Sequence, residues 1–210
     1  MGRLQALVVV ALVACNEPTS SGGSRSEQVT GSATVSAAAP SVPHPVASAS
    51  AAPRVLCSPT PGRVLSKIAP LRVDASGQKS DGKIDLKAHK LTWVDFFASW
   101  CGPCKEELPR LESFAARLAK DGLDVQLVHV SLDDDLRQLT AFFASEPTMK
   151  ASLWLSDGPS REGFLSSLKM KPAPSLPEHA IVGQDGAAKC FVEGAFTDAD
   201  YPELVSTLRR

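Results

Sequence analysis

Cys101 and Cys104 are separated only by Gly102 and Pro103, a spacing that lets two sulfurs bond within one helical turn. Thiol chemistry needs a thiolate, and the flanking residues supply a means of making one. Leu91–Ala98 (Leu-Thr-Trp-Val-Asp-Phe-Phe-Ala) is rich in β-formers and reads as a central strand. Cys104–Lys120 reads as a helix, with Leu108, Leu111, Phe114, Ala115 and Leu118 on one face and Gly122 suited to its C-terminal cap. Cys101 then sits just ahead of the first helical turn, where free N–H groups and the helix dipole favour an anion. Its pKa is expected to fall below that of a free thiol, making it the exposed nucleophile. Cys104, one turn deeper, is expected to be shielded and to resolve the mixed disulfide that Cys101 forms. Pro103 fixes φ, and its missing N–H costs nothing at a helix start. Asp95 stands among Trp93, Val94, Phe96 and Phe97 and is therefore expected to be buried, which raises a carboxyl towards neutrality.

The elements that must hold these residues alternate along the chain. Val64–Val73 contains one or two short extended pieces, and Lys83–Leu86 reads as a further short strand after Asp81-Gly82. Strands are expected over Val125–Ser131 and Ala151–Leu155, and helices over Leu136–Ser145, Ser160–Leu168 and Tyr201–Leu208. Ala180–Val182 and Ala188–Glu193 pair across Gln184-Asp185-Gly186, where Asp-Gly marks the turn. Strands alternating with helices predict a three-layer α/β/α domain over residues 58–210, with a mixed sheet covered on both faces.

The run Val94-Asp95-Phe96-Phe97-Ala98-Ser99-Trp100-Cys101-Gly102-Pro103-Cys104-Lys105 resembles the active-site segment of the thioredoxin-like family. From about Val64 to Arg210 the pattern is similar to the membrane-anchored, TlpA-like branch, whose extra strand–helix insertion Leu139–Leu168 matches. The resemblance implies a thiol–disulfide oxidoreductase, with Trp100, Gly102 and Pro103 completing the motif around the two cysteines. The Gly-Pro interior resembles the reducing members. It also implies that Asp95 lies beneath the disulfide and handles the Cys104 proton. Pro177 would open a strand in the cis form, facing the cysteines and shaping the substrate groove; spacing to the Asp185-Gly186 turn favours it over Pro172 and Pro174. Glu107 resembles a helix glutamate near the disulfide in that branch, the alternative being a solvated residue favoured by the helix start. Pro109 would kink the helix. Two features depart from the branch: Asp95 stands where Asn is commoner, and Cys57 and Cys190 are not usual. An exported domain keeps two free thiols poorly, so a structural Cys57–Cys190 disulfide is expected, against two buried small apolar residues.

Met1-Gly2-Arg3 and the apolar stretch Leu4–Ala14 form a signal-peptide pattern, about 16 Å long as helix and too short to span a bilayer. The ending Leu12-Val13-Ala14-Cys15 resembles the lipobox of bacterial lipoproteins, which implies acylation at Cys15 and stable anchoring, against an ordinary cleaved signal. Asn16 after that cysteine favours the outer membrane in the resembling family. Residues 15–57, rich in Ala, Ser and Pro, read as a disordered tether of roughly 35 Å. With 22 basic and 23 acidic residues the chain is nearly neutral, and nothing points to nucleic acid. The expected protein is a monomer of the bacterial cell envelope, without cofactor. Its partners are protein dithiols or disulfides and a membrane electron donor. The alternative is a copper metallochaperone, with His129 and His179 as available ligands, although family members of that kind use C-x-x-x-C. A haem site fails because Lys105, not His, follows Cys104. A lone C-x-x-C makes zinc a poor fit.

Overall fold

The computed structural model describes residues 55–58, 60–67 and 70–210. The expected signal segment, Cys15 and most of the expected tether lie outside them. All described residues fall in one compact unit. Leu56 is buried in its core.

Seven strands form one mixed sheet: β1 (Leu71–Asp74), β2 (Lys79–Asp81), β3 (Leu91–Phe97), β4 (Val125–Ser131), β5 (Ala151–Trp154), β6 (Glu178–Gly183) and β7 (Ala188–Glu193). The helices are α1 (Gly102–Lys120), α2 (Leu136–Ser145), α3 (Pro159–Ser167) and α4 (Tyr201–Leu208). The strand order is β2-β1-β5-β4-β3-β6-β7. Strand β3 lies between parallel β4 and antiparallel β6. Among the described residues no helix is long and apolar enough to cross a membrane.

One expectation fails. Lys83–Leu86 is not a strand; the second strand is Lys79–Asp81, paired with β1. Ile84 and Leu86 instead pack their side chains against the core. That stretch follows Gly82, where an added Cβ would meet the Arg72 nitrogen and the Pro70 oxygen at 2.9 Å. The backbone is thus held close to β1 there and turns off the sheet edge.

Alternation along β3 divides the core. Val94 and Phe96 face α3 with Phe164 and Leu165. Trp93 faces α1 and α4, among Leu111, Phe114, Phe196 and Leu204. Phe97 joins the cysteines and Leu108 of α1 and Phe142 of α2. The face of β3 that carries Asp95 is therefore the α1 face. Helix α1 ends in a capped turn: Gly122 adopts φ +78°, its N–H donates to Ala119, and the Leu123 N–H donates to Leu118. Cys57 and Cys190 are bonded, tying the entry of the domain to β7.

Candidate functional site

The β3–α1 junction forms as its residues dictate. Cys101 is the N-cap of α1, extended at φ −82° and ψ 104°. Its sulfur accepts the Cys104 N–H at 3.2 Å. Gly102 and Pro103 occupy the first two helical positions, where a proline loses no hydrogen bond. Cys101 and Cys104 form a disulfide with Cα atoms 5.3 Å apart. A thiolate at Cys101 would meet the same N–H and the positive helix end. Trp100 is 60% exposed, whereas Cys101 is 4% exposed and Cys104 fully buried. The exposure expected of Cys101 is not found: it is nearly covered, because it packs with Phe97, Leu108 and Leu139.

The loop into the helix is held from below by Asp133. Its carboxylate accepts the Ser99 N–H at 3.0 and 3.1 Å, the Ser99 hydroxyl at 2.7 Å and the Ser131 hydroxyl at 2.8 Å. Asp133 is fully buried. Sequence reading missed it; Asp133 heads the run Asp133-Asp134-Asp135 after a strand, and nothing singles it out until the two loops meet. The Leu176–Pro177 bond is cis. Leu176 packs against the cluster that contains both cysteines, and the Pro177 carbonyl accepts the Gly194 N–H at 2.9 Å.

Beneath α1 lies a row of polar side chains. In the sheet register Asp95 of β3 is flanked by His129 of β4 and His179 of β6. Asp95 and His179 are fully buried. The Asp95 Oδ2 lies 2.7 Å from His129 Nδ1, and Oδ1 lies 3.4 Å from His179 Nδ1. Two glutamates of α1 close the ends of the row. Glu107 Oε1 is 3.3 Å from His179 Nε2, and Glu112 Oε1 is 3.1 Å from His129 Nε2. Glu107 is not the solvated residue of the alternative reading: it is 1% exposed, and its Oε2 accepts the Phe196 N–H at 2.8 Å. His129 is not simply packed, since carboxylates face both of its nitrogens. Burial pulls its imidazole down, but hydrogen bonds and charge from Asp95 and Glu112 outweigh this and push it up to about 9. The same His129 bond lowers the Glu112 carboxyl. On the adjoining strand position Glu178 is raised, first by burial and then by Glu193 opposite it.

Asp95, Glu107 and His179 are the one grouping of metal-capable donors among the described residues. Each offers one donor atom, and these atoms lie within 4.8 Å of one another. No cysteine belongs to the grouping.

A family model described as thioredoxin-like matches residues 89–188. The chain is 32% identical over 108 residues to Thioredoxin-T of Drosophila melanogaster, covering 51% of this chain and 66% of that protein. It is 30% identical over 135 residues to a protein disulfide-isomerase of Hordeum vulgare, covering 57% of this chain and 26% of that protein. The chain thus spans from a quarter to two thirds of the length of these relatives. A solved Chlorobium tepidum structure described as a thiol:disulfide interchange protein DsbE superposes with a TM-score of 0.52 at 24% identity, covering 70% of this chain and 94% of that one. The thioredoxin domain of a Bacteroides vulgatus thiol-disulfide oxidoreductase gives 0.52 at 19% identity, covering 73% and 99%.

Proposed function

We propose that this chain, which has the thioredoxin-like fold, is a thiol–disulfide oxidoreductase that reduces disulfides of protein substrates outside the cytoplasm. The observation that carries the reading is the Cys101–Cys104 disulfide at the start of α1, with the Cys104 N–H directed at the Cys101 sulfur. In the reduced protein the Cys101 thiolate attacks one sulfur of a substrate disulfide. A Cys101–substrate bond forms, the substrate S–S bond breaks, and one substrate thiolate leaves. Cys104 then gives up its proton and attacks the Cys101 sulfur. The second substrate thiolate leaves and the Cys101–Cys104 bond forms. Two electrons pass from the protein pair to the substrate, and an external dithiol must return them. Asp95 and Glu107 are the buried carboxylates that take the Cys104 proton. Trp100 flanks the attacking sulfur, and Pro177 with Leu176 lines the groove where a substrate strand pairs.

Lipid attachment at Cys15 and a tether over residues 15–57 fit this reading, with a membrane protein as electron donor and the domain acting as a monomer. The Gly-Pro interior fits a reducing member, and the buried Glu107 fits the TlpA-like branch.

Insulin-disulfide reduction by the full chain, driven by a small dithiol, tests the proposal. Cys101→Ser abolishes turnover, and Cys104→Ser accumulates mixed disulfides that mass spectrometry identifies. Full activity of Cys101→Ser contradicts it. A redox potential of about −270 mV assigns the reducing direction, and one of about −120 mV the oxidising one.

A further inference from the structure

Two histidines are interleaved with three carboxylates beneath the helix that carries the disulfide, in the order Glu107, His179, Asp95, His129, Glu112, with neighbours 2.7–3.4 Å apart. Three adjacent strands supply the middle members at matched register. Neighbouring strands lie about 4.8 Å apart, so the two histidines are about 10 Å apart across β3. Glu107 and Glu112, five residues apart on α1, span about 7.5 Å along the helix. The helix thus sets one glutamate over each end of the row. One end is sealed: Glu107, His179 and Asp95 are buried, and Asp95 Oδ1, Glu107 Oε1 and both His179 nitrogens make no hydrogen bond to a described residue. The other end is open: the Glu112 side chain is 66% exposed. It borders a cleft of about 140 Å³ lined by Leu108, Pro109, Glu112, His129, Thr148 and Met149.

We propose, building on the oxidoreductase reading, that this series is a proton path in which a proton taken up from Cys104 at the buried end is matched by a proton shed from His129 to Glu112 and solvent. The geometry supplies the reason. Both His129 nitrogens are hydrogen-bonded to carboxylate oxygens, Asp95 on one side and Glu112 on the other, and each of these pairs is satisfied by one proton between its members. The His179 nitrogens lie 3.4 Å from Asp95 and 3.3 Å from Glu107 without a hydrogen bond. A further proton from Cys104 must sit on a carboxylate, and that neutralises part of the charge holding its neighbour's proton. Release follows at the end that reaches water. Cys104 and Glu107 are three apart on α1 and share a face, so the donor stands over the sealed end. When an external dithiol reduces the disulfide again, the same path runs inward. His129 and His179 are positioning residues here; neither touches substrate.

Besides Asp95 from β3 and Glu112 from α1, the charged groups around His129 are Arg72 of β1, Lys83 after β2 and Lys150 before β5, which line an adjoining cavity of about 460 Å³. The two carboxylates outweigh burial to hold the His129 charge.

Single-turnover oxidation of the reduced full chain by oxidised glutathione, followed from pH 6 to 10, tests the path. The protein dithiol becomes a disulfide and glutathione disulfide becomes two thiols. His129→Gln slows the Cys104 step at pH 7 by about tenfold or more and removes the change in rate near pH 9. Asp95→Asn combined with His129→Gln is no slower than Asp95→Asn alone, because His129 acts through Asp95. Glu112→Gln, a surface change safe for folding, moves the limb near pH 9 to lower pH, since a carboxylate that holds the His129 proton is gone. A His129→Gln rate within twofold of the unmodified chain with the same pH profile overturns the path. So does full additivity in the double variant. If His129→Gln fails to fold, an unmoved limb in Glu112→Gln overturns it. Should the unmodified chain show no Cys101-dependent oxidation, the oxidoreductase reading itself fails, which is a separate outcome.

Discussion

At the scale of residues, the site is a pair of sulfurs at a helix start above a charged row. His129 makes the row visible in stability. Its folded pKa is raised, so its contribution is present in full below the unfolded value of about 6.5 and is lost as pH rises through about 9. The stability difference between the unmodified chain and His129→Gln, read from urea midpoints, is therefore predicted to be largest near pH 6 and to shrink towards pH 10. A difference that is constant with pH contradicts the charge assigned to His129. The cysteines and Asp95 were legible in the sequence because each breaks a pattern: a C-x-x-C between strand and helix, and an acid inside an apolar run. His129 and His179 were not. A single histidine in a strand has no partner until register sets it beside Asp95, and register is a property of three strands together. Glu107 read as ambiguous for a related reason. Its burial depends on the Phe196 N–H, 89 positions away in sequence.

At the scale of elements, the Cys101 loop is only as rigid as its support. Asp133 receives Ser99 and Ser131 groups within a buried space, and those donors have no replacement once it is removed. Asp133→Ala is predicted to cost about 3 kcal/mol of stability, from stranded donors at about 1–3 kcal/mol each. Chemical denaturation measures it, and a loss below about 0.5 kcal/mol contradicts the role of Asp133 as the loop's anchor. Long periodic elements were readable: α1, β4, α2, β7 and α4 follow from apolar spacing, with Gly122 marking the end of α1. The failure was β2. Lys79-Ser80-Asp81 is wholly exposed and has no apolar residue, so only pairing with β1 makes it a strand. Ile84 and Leu86 showed the right residue types next door, but their burial comes without a ladder.

At the scale of the whole molecule, the Cys57–Cys190 bond spans 133 positions and joins the start of the domain to β7, where Ser58 also pairs with Phe191. Closing so long a loop removes much of the entropy of the unfolded chain. Replacing both cysteines by serine is predicted to cost about 4–5 kcal/mol, a value that depends on the chain-entropy model. A urea midpoint unchanged by the double substitution contradicts a structural role for this bond. The layered fold was legible from alternating strands and helices, whereas the sheet order and the closure of Leu56 onto the core needed contacts between distant segments. The whole account depends on an acidic Cys101 sulfur in the reduced protein. Its most direct test is the rate of iodoacetamide alkylation against pH, with free cysteine run in parallel and the label mapped by mass spectrometry. The account predicts that Cys101 is labelled ahead of Cys104, and that its rate reaches half its maximum at a pH well below that of free cysteine. A Cys101 rate that follows the free-cysteine curve, or equal labelling of both sulfurs, contradicts it.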